Sequence, residues 1–362
     1  MNQILIEITI TSLAALLTAA ILFPLLIKAA HRVGWVDKPN HRKIHCQPTP
    51  VVGGIGIVIS AAMALLLTQS GIALLQQYPV LMGAAFVLLV TGVWDDRINI
   101  NPKYRLAIQL LCATALAASG IRLSSLYGIL GIYELTGAWQ YALTIIIVMG
   151  VTNAYNLIDG IDGLAGGIAL INLSIMAFIS YRLGAFSLVV LLVAMATAAL
   201  VFLRFNFHPA RIFMGDGGSL VLGFLMPAAG ILLIEKSNAL PQALPVQEVV
   251  AMVAALLALP VFDSLRVYIW RIRRGQSPFK ADKTHLHHLI LNAGITASKT
   301  TYLLYAAQVL FFVIGWTLMQ LLSLSVAIMA VAAIFVVISH LLQLNGKVLT
   351  WSQKIRKMET LS

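Results

Sequence analysis

Long apolar runs separated by short polar breaks dominate the chain from end to end. A helix rises about 1.5 Å per residue, so about 20 apolar residues cross a hydrocarbon core about 30 Å thick. On that measure the runs at 4–27, 51–68, 78–94, 104–121, 138–152, 164–181, 185–203, 219–234, 246–268, 301–319 and 321–344 predict eleven membrane-spanning helices. The stretch 301–344 holds no Asp, Glu, Lys or Arg. As one helix it would be about 66 Å long, so it predicts two spans and a tight turn. The run 164–203 divides in the same way at Arg182 and Gly184. No Lys or Arg precedes the first run and Glu7 lies within it, which is poor for a cleaved leader.

Composition turns this pattern into a fold class. Of 362 residues, 60% are apolar and only 10% charged, against about 45–50% and 25% in soluble domains. A soluble enzyme, a disordered chain and a disulfide-built secreted module are excluded together. The expectation is an all-α polytopic membrane protein, one transmembrane domain over 1–362, because the largest break, 270–300, is too short for a second domain. A formal charge of +11 on such a chain points to a cytoplasmic excess of Lys and Arg, not to nucleic acid. Counted over alternate breaks, all but Arg122, Arg182 and Lys236 of the 24 Lys and Arg fall on one side. That side is expected in the cytoplasm, with the N-terminus outside and the C-terminus inside, as an odd number of spans requires. Every Asp and all eight His fall on or near the same side, so the chemistry is expected there too. Cys46 and Cys112 give neither a zinc spacing nor a disulfide.

Five polar constellations interrupt the apolar background. Asp37-Lys-Pro-Asn-His-Arg-Lys43-Ile-His45 leads into Gly53-Gly54. Its basic groups and helix-start glycines suit an anion, and an ordinary positive-inside loop explains them equally well. Asp95-Asp96 closes the third span, where adjacent carboxylates beside hydrocarbon repel each other and run against the helix dipole, a cost that a divalent cation relieves. Asn153-x-x-Asn156-x-x-Asp159-Gly-Ile-Asp162-Gly places four oxygen-bearing side chains at steps of three. Each step turns 60°, so all four converge only if the helix ends or bends at Gly160 and Gly163. Asp216, between glycines, falls where an N-cap would, and reads either as a cap or as a ligand group open to close approach. Arg271 to Arg274 followed by His285-Leu-His287-His288 fits a phosphate cradle better than zinc. Asp263 and Arg266 are expected to pair with each other. Carboxylates for Mg²⁺ and basic groups for phosphate, gathered at one membrane face, suit phosphoryl transfer from a soluble anionic donor to a lipid acceptor. A nucleotide-sugar or lipid carrier, which places its ionisable groups near the midplane, is the second reading.

In order, spacing and membrane placement these motifs resemble the polyprenyl-phosphate N-acetylhexosamine-1-phosphate transferases, from about residue 30 to 300, and the Ser277-Pro-Phe…His-Leu-His-His stretch is similar to the WecA/TagO-like branch. The resemblance implies transfer of GlcNAc-1-phosphate from UDP-GlcNAc, or another UDP-N-acetylhexosamine, to undecaprenyl phosphate. UMP would be released and a cell-surface polysaccharide started. It also implies Mg²⁺, with Mn²⁺ as the alternative ion, an inner-membrane location and a homodimer. Carried over residue by residue, Asp216 and Asp96 would hold the metal, and Asp95, Asp96, Asp159 and Asp162 would be catalytic. Asp37, Lys43, His45, Asn153, Asn156, Arg271, His285, His287 and His288 would bind substrate. Where many members have DDxxD, Asn99 stands here in the last place, which leaves a third carboxylate ligand open. Direct attack by the lipid phosphate is expected over a covalent intermediate on Asp95 or Asp96, because a phosphate monoester with a second pKa of about 6 is already dianionic at neutral pH.

Overall fold

The computed structural model describes residues 2–37, 47–240, 242–277 and 284–359, with side chains as far as 345. Lys43 and His45 therefore lie outside the described residues. The helices run α1 (Asn2–Val33), α2 (Gly53–Leu65), α3 (Gln69–Gln77), α4 (Pro79–Ile98), α5 (Pro102–Ala118), α6 (Gly137–Ile158) and α7 (Leu164–Arg182). They continue as α8 (Phe186–Asn206), α9 (Gly215–Ala239), α10 (Val246–Arg273), α11 (Leu286–Asn292), α12 (Ala297–Leu321) and α13 (Leu324–Glu359). Strands β1 (Val36–Asp37) and β2 (Thr49–Pro50) pair antiparallel at one end of the bundle, as do β3 (Ser125–Ile129) and β4 (Ile132–Glu134) at the other.

Among the described residues nine helices are long and apolar enough to cross a bilayer, ten if the bent pair α2–α3 counts as one. The expected eleven is not reached on length, for two local reasons. The run 104–121 forms α5, whose 17 residues extend about 26 Å. The run 51–68 stops after α2, and the axis turns by 111° into α3. That corner is built: Thr68 accepts the Gly71 N–H, and Glu7 reaches from α1 to accept the Ser70 N–H. Two otherwise orphaned donors at the start of α3 are thereby satisfied. The expected tight turn within 301–344 is present, at residues 322 and 323 between α12 and α13.

Packing follows membrane rules. On α1 the stripe Thr11, Ala15, Ala19 and Phe23 is buried, while Leu13, Leu17, Ile21 and Leu25 stay exposed, as a helix needs when its other face meets lipid. α9 is buried over almost its whole length and packs against α2, α4, α6 and α10. Close approach to it demands small residues: a Cβ on Gly54 would overlap the Gly218 backbone, and one on Gly92 the backbone of Asp216 and Gly217. Inside α10, Pro260 has no N–H for the Leu256 carbonyl. That carbonyl instead accepts from Asn172 of α7 and Gln308 of α12, both at 2.8 Å. A backbone defect in the core is so converted into a three-helix junction.

Candidate active site

The C-terminal ends of α4, α6 and α10 and the N-terminal ends of α5 and α9 meet at one end of the bundle, together with α11. Asp95 and Asp96 sit in the last turn of α4. Asn99 follows as its C-cap in the left-handed region, φ 51°, a conformation Asn tolerates better than Asp or most other residues. The turn it makes delivers the Ile100 N–H to Asp95 Oδ1 at 2.7 Å. Asn99 itself is exposed. Asp96 Oδ1 accepts the Asp216 N–H at 2.9 Å, so the α4 carboxylate caps the positive end of α9. Of the two readings of Asp216, the cap is supplied instead by Asp96, and Asp216 stands inside the first turn, its carboxylate free of that role. Just before it Gly215 has φ 75° and a Cβ there would lie 2.5 Å from Asp96 Oδ2, so only glycine serves.

The Asp216 carboxylate is fixed on both oxygens. Asn156 of α6 donates Nδ2 to Oδ1 at 2.8 Å and also to Ser219 Oγ. Arg105 of α5 donates a single nitrogen, Nη1, to Asp216 Oδ2 at 2.9 Å and to Asp95 Oδ2 at 2.8 Å. Among the described residues no three His, Cys, Asp or Glu side chains are disposed as a ready metal cage. Asn153 donates to Gln109 of α5 and to Met149 O one turn back, tying α6 to α5.

The helix under the Asn153-to-Asp162 row ends near its glycines, with α6 stopping at Ile158, Asp159 its C-cap and Gly163 turning the chain at φ 80°, but the four side chains do not all converge. Asp159 stays on the centre's side. Its burial, then the charges of Asp216 and Asp162, push its carboxyl up to about 7. Asp162 turns elsewhere, its Oδ2 accepting from Ala210 N at 3.0 Å and facing His208 Nδ1 at 2.9 Å. The Gly53 and Gly54 amides, read as open to an anion, donate to Phe213 O and Met214 O at 2.9 and 2.8 Å and hold α2 to the loop before α9. Asp37 lies on the β1–β2 ladder opposite Thr49.

On α10, Arg271 is buried near the helix end, and both it and Arg105 act electrostatically on the Tyr268 hydroxyl, which brings Arg271 to the same centre. The expected Asp263–Arg266 pair is present at 2.7 Å and is larger than expected. Asp263 also accepts the Leu286 N–H and faces His285 Nδ1, each at 2.9 Å, and Arg266 donates to Thr284 O. His287 is 2% exposed, lies against Gly160, and among the described residues has no hydrogen-bond partner on either ring nitrogen. Burial, then His288, lowers it to about 3, so it is neutral and brings a ring nitrogen, not charge, to the site. His288 packs against it at 4.2 Å between ring centroids, tilted by 47°.

Arg105, Gln109 and Ser219 were missed from sequence, as was the reach of Asp263 to His285. Arg105 was read only as one more charge beside the membrane. The available signal was its place in the first turn of a short helix straight after the Asp pair.

These features define a polytopic membrane protein with a carboxylate-lined polar centre where its helix ends meet at one membrane face. The glycosyl transferase family 4 profile matches residues 78–234. The undecaprenyl-phosphate alpha-N-acetylglucosaminyl 1-phosphate transferase of Yersinia pestis is 34% identical over 321 residues, 87% of this chain and 83% of its own. The protein of the same name from Escherichia coli K12 is 34% identical over 294 residues, 80% of this chain and 77% of its own. A Bacillus subtilis protein, named a probable undecaprenyl-phosphate N-acetylglucosaminyl 1-phosphate transferase, is 32% identical over 86% of this chain and 85% of its own. The chain belongs to this family of polyprenyl-phosphate N-acetylhexosamine-1-phosphate transferases.

Proposed function

We propose that the protein transfers N-acetylglucosamine 1-phosphate from UDP-N-acetylglucosamine to undecaprenyl phosphate, releasing UMP and forming undecaprenyl-diphosphate-N-acetylglucosamine. The observation that carries this reading is the convergence of Asp95, Asp96 and Asp216 with Arg105 at the ends of α4, α5 and α9. A lipid phosphate is confined to the membrane boundary and a nucleotide sugar to water, and only helix ends are open to both.

The donor set suits a divalent ion. Carboxylate oxygens are hard ligands, and Mg²⁺ takes one or two of them together with substrate phosphates and water, with Mn²⁺ able to replace it. Asp216 and Asp95, whose Oδ2 atoms meet at Arg105, would hold it, with Asp96 beside them. When bound, it would supply positive charge against the repulsion between two phosphates. Asn156 keeps Asp216 aimed by holding its other oxygen, and Arg271 adds fixed positive charge. The dianionic lipid phosphate needs no base. Its oxygen forms a bond to the sugar-bearing phosphorus as the bond to UMP breaks, and the electron pair leaves on UMP. A carboxylate nucleophile is less suited, since Asp95 and Asp96 each already accept a backbone N–H.

The Lys and Arg asymmetry supports a cytoplasmic site in a bacterial inner membrane, the N-terminus outside and the C-terminus inside. This orientation requires eleven crossings, with α5 as a short span and α2–α3 as a bent one. The test is UMP release by detergent-purified protein given UDP-N-acetylglucosamine, undecaprenyl phosphate and Mg²⁺, each omitted in turn. Release that needs all three is expected. A stoichiometric UMP burst without lipid phosphate would overturn the one-step reaction.

A further inference from the structure

We infer that Arg105 is a built-in counter-cation that the divalent ion displaces, so that metal binding at this site is an exchange and not an addition. The inference rests on the metal reading proposed above. Its basis is that one atom, Arg105 Nη1, stands 2.8 Å from Asp95 Oδ2 and 2.9 Å from Asp216 Oδ2. The other oxygen of each carboxylate is held by a neutral donor, Ile100 N or Asn156 Nδ2. The two Oδ2 atoms therefore face a common point, and the guanidinium nitrogen occupies it. An ion held by both oxygens would have to lie between them, where the guanidinium nitrogen stands, and two cations would not share that place.

Arg105 is also not fully at home there. Among the described residues its Nε–H is buried without a partner, a desolvation cost that no hydrogen bond offsets. That cost favours departure once a better cation arrives. Without Arg105, Asp95 and Asp216 would face each other uncompensated beside hydrocarbon. The arginine thus keeps the metal-free carboxylates in place and lets the ion enter a formed site.

The experiment is Mn²⁺ titration, read by electron paramagnetic resonance, on metal-stripped full-length protein in detergent. Wild type, Arg105→Met, Arg105→Lys and Asp216→Asn are compared, and thermal unfolding is followed in parallel. Arg105→Met should bind Mn²⁺ about tenfold more tightly than wild type. It should melt lower than wild type without metal, the gap closing at saturating Mn²⁺. Arg105→Lys, whose side chain is one bond shorter and brings its charge less far toward the two Oδ2 atoms, should fall between the two. Unchanged or weaker Mn²⁺ binding by Arg105→Met, with binding lost in Asp216→Asn, overturns the exchange and leaves the metal reading intact. Equal binding by wild type and Asp216→Asn overturns the metal reading and the exchange with it. Should Arg105→Met fail to elute as a folded species, Arg105→Lys decides, and an affinity equal to wild type overturns the exchange.

Discussion

Asn156 positions the centre's main carboxylate from a neighbouring helix. Its amide holds Asp216 Oδ1 and Ser219 Oγ, so Asn156→Ala frees one side of the centre's main carboxylate without touching α9 itself. Loss of such an orienting partner costs about 10–100-fold in metal affinity or activity. The expected result is a matching fall in UMP release with unchanged thermal stability, whereas Asp216→Asn should abolish release. His287 gives a second prediction, this one in pH. Its imidazole is held near 3 in the fold, chiefly by burial and then by His288, against about 6.5 in an unfolded chain. The unfolded chain therefore takes up the proton first. Stability is complete above about pH 7 and is lost as pH falls from there toward 3. His287→Gln should flatten that acid-side loss; parallel melting curves for the two proteins between pH 7.5 and 4.5 would contradict it. At this scale the sequence was readable where a polar residue stands out against hydrocarbon, as Asp95, Asp96, Asn156 and Asp216 do. Partnership was not readable. Nothing local says that Arg105 bridges two carboxylates 10 and 111 positions away, or that Asp162 bonds to the loop at 208–210.

Between elements, backbone proximity decides more than side-chain chemistry. α4 reaches α9 through Gly92, where any Cβ would overlap the backbone that carries Asp216. Gly92→Ala should therefore push α4 from α9 and move Asp96 off the Asp216 N–H, costing about 1–3 kcal/mol or more. UMP release should fall at least tenfold. Gly83, in the same helix, has open space around it, so Gly83→Ala should change stability by no more than about 1 kcal/mol and leave release unchanged. Equal effects at both positions would show that helix propensity, not the α4–α9 contact, sets the result. The apolar runs gave the helices and their approximate ends, because hydrocarbon thickness constrains length. They did not give the corner at 66–68, because Leu65 to Leu67 read as unbroken span. What makes that corner is Glu7 and Thr68 capping α3, a contact across 63 positions.

For the molecule as a whole, direction across the membrane follows from which end carries the centre. The ends of α4, α6, α9 and α10 that bear Asp95, Asp159, Asp216 and Arg271 all lie together. The hairpin β3–β4 marks the other end, anchored where Glu235 near the end of α9 accepts from Ser124 and Tyr127. Burial raises the Tyr127 hydroxyl above its ordinary range, so this anchor keeps its proton at any working pH. A nucleotide sugar is a multiply charged anion that does not cross a bilayer, so the carboxylate end must face the compartment that supplies it. Lys and Arg concentrate at that end, which under the positive-inside rule is the basis for the proposed cytoplasmic orientation. Orientation is thus open to a direct test, with Cys46→Ser and Cys112→Ala as background. In spheroplasts an impermeant maleimide should label Gln242→Cys, exposed in the α9–α10 turn, at once. Asn292→Cys, exposed at the end of α11, should be labelled only after the membrane is opened. The reverse pattern would place the carboxylates outside, away from any cytoplasmic nucleotide sugar, and would remove the physical basis for the proposed donor.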